Sequence, residues 1–296
     1  MLLRDLIRKG TETVSLLYPE REAREMVLSY LEHRLGTSRH HHIVEPLFEV
    51  DEGTLPEILS AFSRMAEGEP LQYVTGKAWF YGREFKVTPD VLIPRPETEL
   101  LCRYVTERSG SCGRLSVLDL CTGSGCIAWT LAMEMPGTRV VAADISERAL
   151  DVASSQDFSD EMSSTGAVAP DFMKADVLLP FDPGCGRGSA PVQFDVLVSN
   201  PPYVMDSEKA LMRPNVLDHE PHLALFVPDS DPLLFYRAVA DRAEDLLKPG
   251  GYGIVEINEA LGPQTAEVYS RRGFVDVVVM KDLNDRDRFV IFRKLS

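Results

Sequence analysis

The chain has 296 residues, 46 of them acidic and 31 basic, for a formal net charge of −15, and 44% are hydrophobic. Such a chain is too apolar to be disordered and long enough for one large domain or two unequal ones. Its charge argues against a general nucleic-acid binder, because non-specific affinity comes from Lys and Arg on phosphate; a small molecule or a basic protein suits it better.

Residues 1 to about 70 read as helical. Leu3, Leu6 and Ile7, then Ala23, Met26, Val27, Tyr30 and Leu31, recur at three- and four-residue spacing, and Leu55 to Ala66 repeats the pattern until Gly68. No catalytic constellation lies there, so a small helical domain that docks a partner is expected. The run Met1–Lys9 carries charges among its apolar positions and has no signal-peptide core. No uncharged apolar run approaches the roughly 20 residues of a spanning helix, so no membrane association is expected. His40, His41 and His42 follow a helix end at Leu35-Gly36; consecutive positions cannot face one metal from a helix, so a surface or capping role is expected. The five cysteines (Cys102, Cys112, Cys121, Cys126, Cys185) are odd in number and lack Cys-x-x-Cys spacing. They fit reduced thiols in a cytoplasm rather than a disulfide frame or a zinc site, and no metal is expected.

From Pro70 to Pro96 the character changes. Leu71 to Val74, Trp79 to Tyr81 and Glu84 to Val87 are aromatic and β-branched, with Gly76 and Gly82 between them, which reads as a hairpin bridging two domains. Beyond residue 96, strand candidates at 115–120, 139–143, 171–175, 194–199, 252–257, 274–280 and 288–293 alternate with helical stretches such as 147–157 and 232–247, the latter closed by Pro249-Gly250-Gly251. This alternation implies an α/β domain with a mostly parallel, doubly wound sheet; the last two strands, with no helix between them, would pair antiparallel at one edge. The expected organisation is a helical domain at 1–70, a hairpin linker at 71–95 and an α/β domain at 96–296.

The first strand runs into Asp119-Leu120-Cys121-Thr122-Gly123-Ser124-Gly125-Cys126-Ile127-Ala128. A strand, a glycine-rich turn and a helix start bring backbone N–H groups close to a ligand. Asp144, ending the second strand about 20 residues on, stands where a ribose-binding carboxylate belongs. NAD and S-adenosylmethionine would both be served, and a bare βα turn with a capping Asp is the plainer alternative. Asp176, after the third strand, could accept from an adenine amino group. Ser199-Asn200-Pro201-Pro202-Tyr203 follows the apolar strand Phe194 to Val198. The prolines stiffen the loop and leave carbonyls free to accept, Asn200 adds a further acceptor, and Tyr203 an aromatic face. That set suits a planar NH₂ group. The Asn200 side-chain oxygen and the Pro201 carbonyl can hold its two N–H bonds and turn the nitrogen lone pair toward an electrophile. Positive charge develops on the attacking nitrogen, so the acceptors favour the transition state.

Together these residues resemble the class I S-adenosylmethionine-dependent methyltransferases with an Asn-Pro-Pro-Tyr motif, a Rossmann-like fold. Leu92-Ile93-Pro94-Arg95-Pro96-Glu97-Thr98-Glu99, Glu220-Pro221-x-x-Ala224-Leu225 and Asp282-Leu283-Asn284-Asp285-Arg286-Asp287-Arg288 narrow the resemblance to the peptide chain release factor glutamine methyltransferases of the HemK/PrmC type, over nearly the whole chain. The resemblance implies methylation of the glutamine side-chain nitrogen (N5) in the Gly-Gly-Gln motif of class 1 release factors, in the cytoplasm and without direct nucleic-acid binding. It implies that Cys121, Thr122, Gly123, Ser124, Gly125, Asp144, Asp176, Val177 and Asn200 hold S-adenosylmethionine. Asn200, Pro201, Pro202 and Tyr203 would hold the substrate amide, Phe80 would pack against the substrate side chain, and Pro94 to Glu99 would line the cofactor side of the cleft. Three departures stand out. Cys121 replaces the usual glycine and must take ordinary φ or carry strain; His219 replaces an aromatic; and the run Leu178 to Gln193 is slightly long. An N6-adenine or N4-cytosine nucleic-acid methyltransferase would use the same loop, but it fits the acidity poorly. A non-catalytic or NAD-dependent module has only the glycine turn in its favour.

Overall fold

The computed structural model describes residues 1–110, 114–184 and 192–296; Cys112, Cys185 and part of the long run before Gln193 lie outside them. In chain order the elements are α1 (Leu3–Val14), α2 (Glu20–Leu35), α3 (His41–Val44), α4 (Leu55–Ala66), α5 (Leu71–Thr75), β1 (Lys77–Phe80), β2 (Arg83–Lys86), α6 (Glu99–Ser109), β3 (Ser116–Leu120), α7 (Cys126–Glu134), β4 (Arg139–Asp144), α8 (Glu147–Ser154), α9 (Ser159–Thr165), β5 (Asp171–Lys174), β6 (Phe194–Ser199), β7 (Val204–Met205), α10 (Pro214–Leu217), α11 (His222–Leu225), β8 (Phe226–Val227), α12 (Leu234–Leu246), β9 (Leu247–Glu256), α13 (Gly262–Arg271), β10 (Val275–Lys281) and β11 (Asp287–Arg293). They form two compact units, Met1–Lys77 with Met212–His219, and Ala78–Leu211 with Glu220–Ser296. No helix among the described residues is long and apolar enough to cross a membrane.

In the smaller unit, α1, α2 and α4 turn their apolar stripes inward, and Leu6, Val27, Leu31, Ile58, Phe62 and Met65 fill one core. Gly10 sits mid-helix because a Cβ there would fall 2.6 Å from the Phe62 ring. The histidines do not converge. His41 meets Phe48 edge-on with ring centroids 4.5 Å apart, while His42 Nε2 lies 3.3 Å from Arg24.

The larger unit is built on a seven-stranded sheet in the order β10-β11-β9-β6-β3-β4-β5. The pairs β6–β9, β3–β6, β3–β4 and β4–β5 are parallel, whereas β11 runs antiparallel to both β9 and β10. The central strands are apolar at most positions because both faces are covered. On one face α12 and α13 bury Tyr236, Val239 and Tyr269; on the other, α6 and α7 bury Leu101, Ile127 and Leu131 together with Phe80 and Phe85 of the β1–β2 hairpin.

Two expectations fail locally. Leu71–Thr75 is helical rather than part of the hairpin, with Pro70 before it and left-handed Gly76 (φ +71°) closing it. These helix-bounding signals outweigh the β-branched and aromatic side chains between them. Pro249-Gly250-Gly251 is no terminator either. Helix α12 stops at Leu246 and β9 begins at once. The Pro-Gly-Gly run lies inside that strand, within the span where its register with β6 shifts, and Gly250 takes φ +78°.

Candidate functional site

From β3 the chain crosses to β4 on one side and later returns to β6 on the other, so a crevice opens beyond the carboxyl ends of these strands. At the end of β3 the turn is wound through three left-handed residues: Cys121 at φ +61°, Gly123 at +55° and Gly125 at +78°. Of the two alternatives for Cys121, ordinary φ or strain, the structure shows strain. Asp119 is fully buried under this turn and accepts the Thr122 hydroxyl at 2.6 Å. Burial, partly offset by that hydrogen bond, lifts its carboxyl to about 7. At the end of β4, Asp144 Oδ2 accepts the Gly123 N–H at 2.9 Å and Oδ1 accepts the Ser146 N–H at 2.9 Å. The carboxylate thus braces the glycine turn, and each oxygen keeps further capacity to accept. Burial raises the Asp144 pKa, and those N–H groups pull it back.

At the end of β6 the Ser199 hydroxyl donates to the Leu120 carbonyl at 2.8 Å, tying the two strand ends together. Asn200 Nδ2 lies 3.4 Å from Thr98 Oγ1. Thr98 donates to Glu256 Oε2 at 2.6 Å, and the Tyr203 hydroxyl donates to Glu256 Oε1 at 3.0 Å. The Tyr203 carbonyl accepts from Asn258 Nδ2 at 3.2 Å. Arg95 donates to buried Glu220 at 2.6 Å, and Ile93 N–H donates to the same carboxylate at 3.2 Å. This holds the Pro94–Glu99 stretch to the Glu220-Pro221 stretch. In the Asp282–Arg288 loop, Arg288 Nε donates to Asp282 at 3.2 Å.

A cavity of about 280 Å³ joins these elements. Of the residues expected to hold the cofactor, Cys121, Thr122, Gly123, Ser124, Asp144, Asp176, Val177 and Asn200 line it, and so does Pro202 of the Asn-Pro-Pro-Tyr loop. Gly125, Pro201, Tyr203 and Phe80 are not among its lining residues. Gly125 is closely packed, as its Cβ would fall 3.0 Å from Ala153 Cβ. Phe80, expected to pack against the substrate side chain, lies in the core of the larger unit. It is 1% exposed and meets Phe85 edge-on at 6.1 Å, whereas Trp79, on the opposite face of the strand, is 71% exposed. Reading the motifs missed Thr98's contact with Asn200, and it missed Glu256, Asn258, Phe181 and Phe235 entirely. The Pro-Glu-Thr-Glu run flagged the first, but no local signal marked the others.

The lining fits an adenosyl sulfonium amino acid. Asp144 and Asp176 offer acceptors for hydroxyl and amino groups, Val177, Leu178, Ile145 and Phe181 offer apolar walls, and Arg95 is the one Lys or Arg among the lining residues. A mostly parallel sheet of this order, with a glycine turn after β3 and Asn-Pro-Pro-Tyr after β6, defines a Rossmann-like methyltransferase. The family model of the methyltransferase small domain matches residues 96–218, and that of the PrmC N-terminal domain matches residues 5–76. The release factor glutamine methyltransferase of Bacteroides thetaiotaomicron is 42% identical over 79% of this chain and 79% of its own. That of Flavobacterium psychrophilum is 33% identical over 98% of each. The solved release-factor-specific protein-(glutamine-N5) methyltransferase of Alicyclobacillus acidocaldarius is 27% identical, covering 72% of this chain and 100% of that one, with a TM-score of 0.42. The chain belongs to the release factor glutamine methyltransferase family.

Proposed function

We propose that the chain methylates the side-chain amide nitrogen of the glutamine in the Gly-Gly-Gln motif of class 1 peptide chain release factors, with S-adenosylmethionine as donor. The observation that carries this reading is the meeting, in one cavity, of Asn200 and Pro202 from the end of β6 with Cys121 to Ser124 and Asp144 from the ends of β3 and β4.

When bound, the cofactor supplies an electrophilic methyl group on a sulfonium. Asp144 would accept from its ribose hydroxyls, Asp176 and Val177 would border its adenine, and residues 121–124 would lie against its amino-acid portion. The protein's own part is orientation. Asn200 Oδ1 and the Pro201 carbonyl accept the two N–H bonds of the substrate amide, which turns the nitrogen lone pair toward the methyl group and strengthens both bonds as positive charge develops. Tyr203, anchored to Glu256, fixes the far end of the loop. The helical N-terminal unit is the docking surface for the release factor, and the enzyme acts in the cytoplasm.

The test is transfer of labelled methyl to purified release factors, with mass spectrometry of the Gly-Gly-Gln peptide. Incorporation at that glutamine, lost when it is replaced, is the expected result. Asn200→Ala should lower kcat by about 10²–10³ while still binding S-adenosylhomocysteine. Labelling of RNA or DNA in place of the factor would overturn the reading.

A further inference from the structure

Glu256 ends β9 at 1% exposure, in a site where a buried carboxylate is costly unless its oxygens are hydrogen-bonded. Both are: the Tyr203 hydroxyl donates to one at 3.0 Å and the Thr98 hydroxyl to the other at 2.6 Å. Thr98 Oγ1 also stands 3.4 Å from the Asn200 carboxamide. A carboxylate only accepts, and a threonine has one proton. With that proton given to Glu256, the Thr98 oxygen can only accept from Asn200. The NH₂ end of Asn200 must then face Thr98, which leaves Oδ1 for the cavity that Asn200 lines.

The two ends of a carboxamide have the same shape, so the direction of these hydrogen bonds decides which end meets the substrate. We infer that Glu256 is a positioning residue that fixes, through Thr98, the orientation of the Asn200 carboxamide toward the reacting amide. The inference rests on the amide methylation proposed above. A reversed Asn200 would present N–H donors to a substrate NH₂ that itself only donates, removing one of the two acceptors. Burial raises the pKa of Glu256, while Thr98, Tyr203 and the charge of Arg288 draw it back toward the ionised form that the arrangement requires.

Glu256→Gln keeps the shape and removes the obligation to accept at both oxygens. If its NH₂ faces Tyr203, the buried Tyr203 proton loses the acceptor it has among the described residues. If the NH₂ faces Thr98, the Tyr203 and Thr98 protons both keep acceptors, but only when Thr98 donates to Asn200 and the carboxamide turns over. Leaving a buried donor unmade costs about 1–3 kcal/mol, so the turned arrangement prevails.

The experiment compares wild type, Glu256→Gln, Thr98→Val and Thr98→Ser in two measurements. The first is steady-state methylation of release factor. Glu256→Gln and Thr98→Val are expected to lower kcat at least tenfold with KM changed less than threefold, and Thr98→Ser to restore kcat to within threefold. The second is solvent exchange of the Asn200 side-chain amide protons, followed by NMR on the enzyme without substrate. The amide should be protected in wild type and Thr98→Ser, and exchange at least tenfold faster in the other two. Thermal unfolding confirms folding, and Glu256→Gln decides the matter if Thr98→Val does not fold. Equal exchange across the four proteins, or kcat within threefold of wild type in Glu256→Gln, overturns the inference. A wild type that does not methylate release factor overturns the proposed function instead, and amide exchange still decides the orientation.

Discussion

Gly123 and Gly125 look interchangeable in the cofactor turn, and replacing each by alanine separates them. Both take positive φ, +55° and +78°. An alanine in that region costs about 1–2 kcal/mol in the folded state, of which about 0.4–1 is recovered because the unfolded chain loses freedom. Their surroundings differ. A Cβ on Gly123 meets nothing within 4 Å, whereas one on Gly125 falls 3.0 Å from Ala153 Cβ, 3.1 Å from Trp129 Cδ1 and 3.3 Å from Phe172 Cε1. Trp129 cannot swing aside, because its indole N–H donates to the Ala153 carbonyl at 2.8 Å and its ring meets Phe158 at 5.3 Å. Crowding of this kind adds about 1–3 kcal/mol. Gly125→Ala is therefore expected to destabilise by about 2–4 kcal/mol and Gly123→Ala by about 1. At roughly 2–4 °C per kcal/mol for a domain of this size, the melting temperature should fall by roughly 5–15 °C in the first and by no more than about 4 °C in the second. Circular dichroism melts give both values, and calorimetry with S-adenosylhomocysteine reads the other half: Gly123→Ala, on the cavity wall, should weaken binding more than it weakens the fold. An equal or larger loss of stability in Gly123→Ala would refute the packing role of Gly125.

Asp119 titrates near 7 in the fold against an ordinary value of 3.8. A raised carboxyl pKa means that the folded state holds the proton longer, so this residue's contribution to stability falls as pH rises from about 4 to about 7 and is level above. Urea melts across pH should show that decline in wild type and its absence in Asp119→Asn; parallel curves would reject it. Phe80→Ala should cost about 3–5 kcal/mol of stability with little change in KM for the release factor, since the ring lies in the core; a raised KM with an unchanged melt would return Phe80 to the substrate. Cys121→Gly should be about 1 kcal/mol more stable than Cys121→Ala, because only glycine takes φ +61° without strain; equal melting temperatures would remove the strain argument.

What could be read from the sequence was whatever repeats or punctuates locally. The apolar runs at Ser116–Leu120, Arg139–Asp144 and Phe194–Ser199 became three adjacent parallel strands, because residues buried on both faces must be apolar at nearly every position. The glycine turn, Asp144 and Asn-Pro-Pro-Tyr could be recognised because close backbone approach and a stiff acceptor loop each demand particular residue types at fixed spacing. Leu71–Thr75 and Pro249–Gly251 misled because flanking residues decided the first and strand pairing the second.

Tertiary structure decided the partners. Trp79 and Phe80 are equally apolar neighbours, and only the sheet's position dictates which of the two is buried. Glu256 lies 158 residues from Thr98 and 53 from Tyr203, in a strand whose apolar pattern gives a carboxylate no visible purpose. Hydrogen bonds of that kind depend on distance in space and on the direction of each proton. Neither is encoded in the spacing of residues along the chain, so the support of Asn200 becomes visible only when β9 is set beside β6.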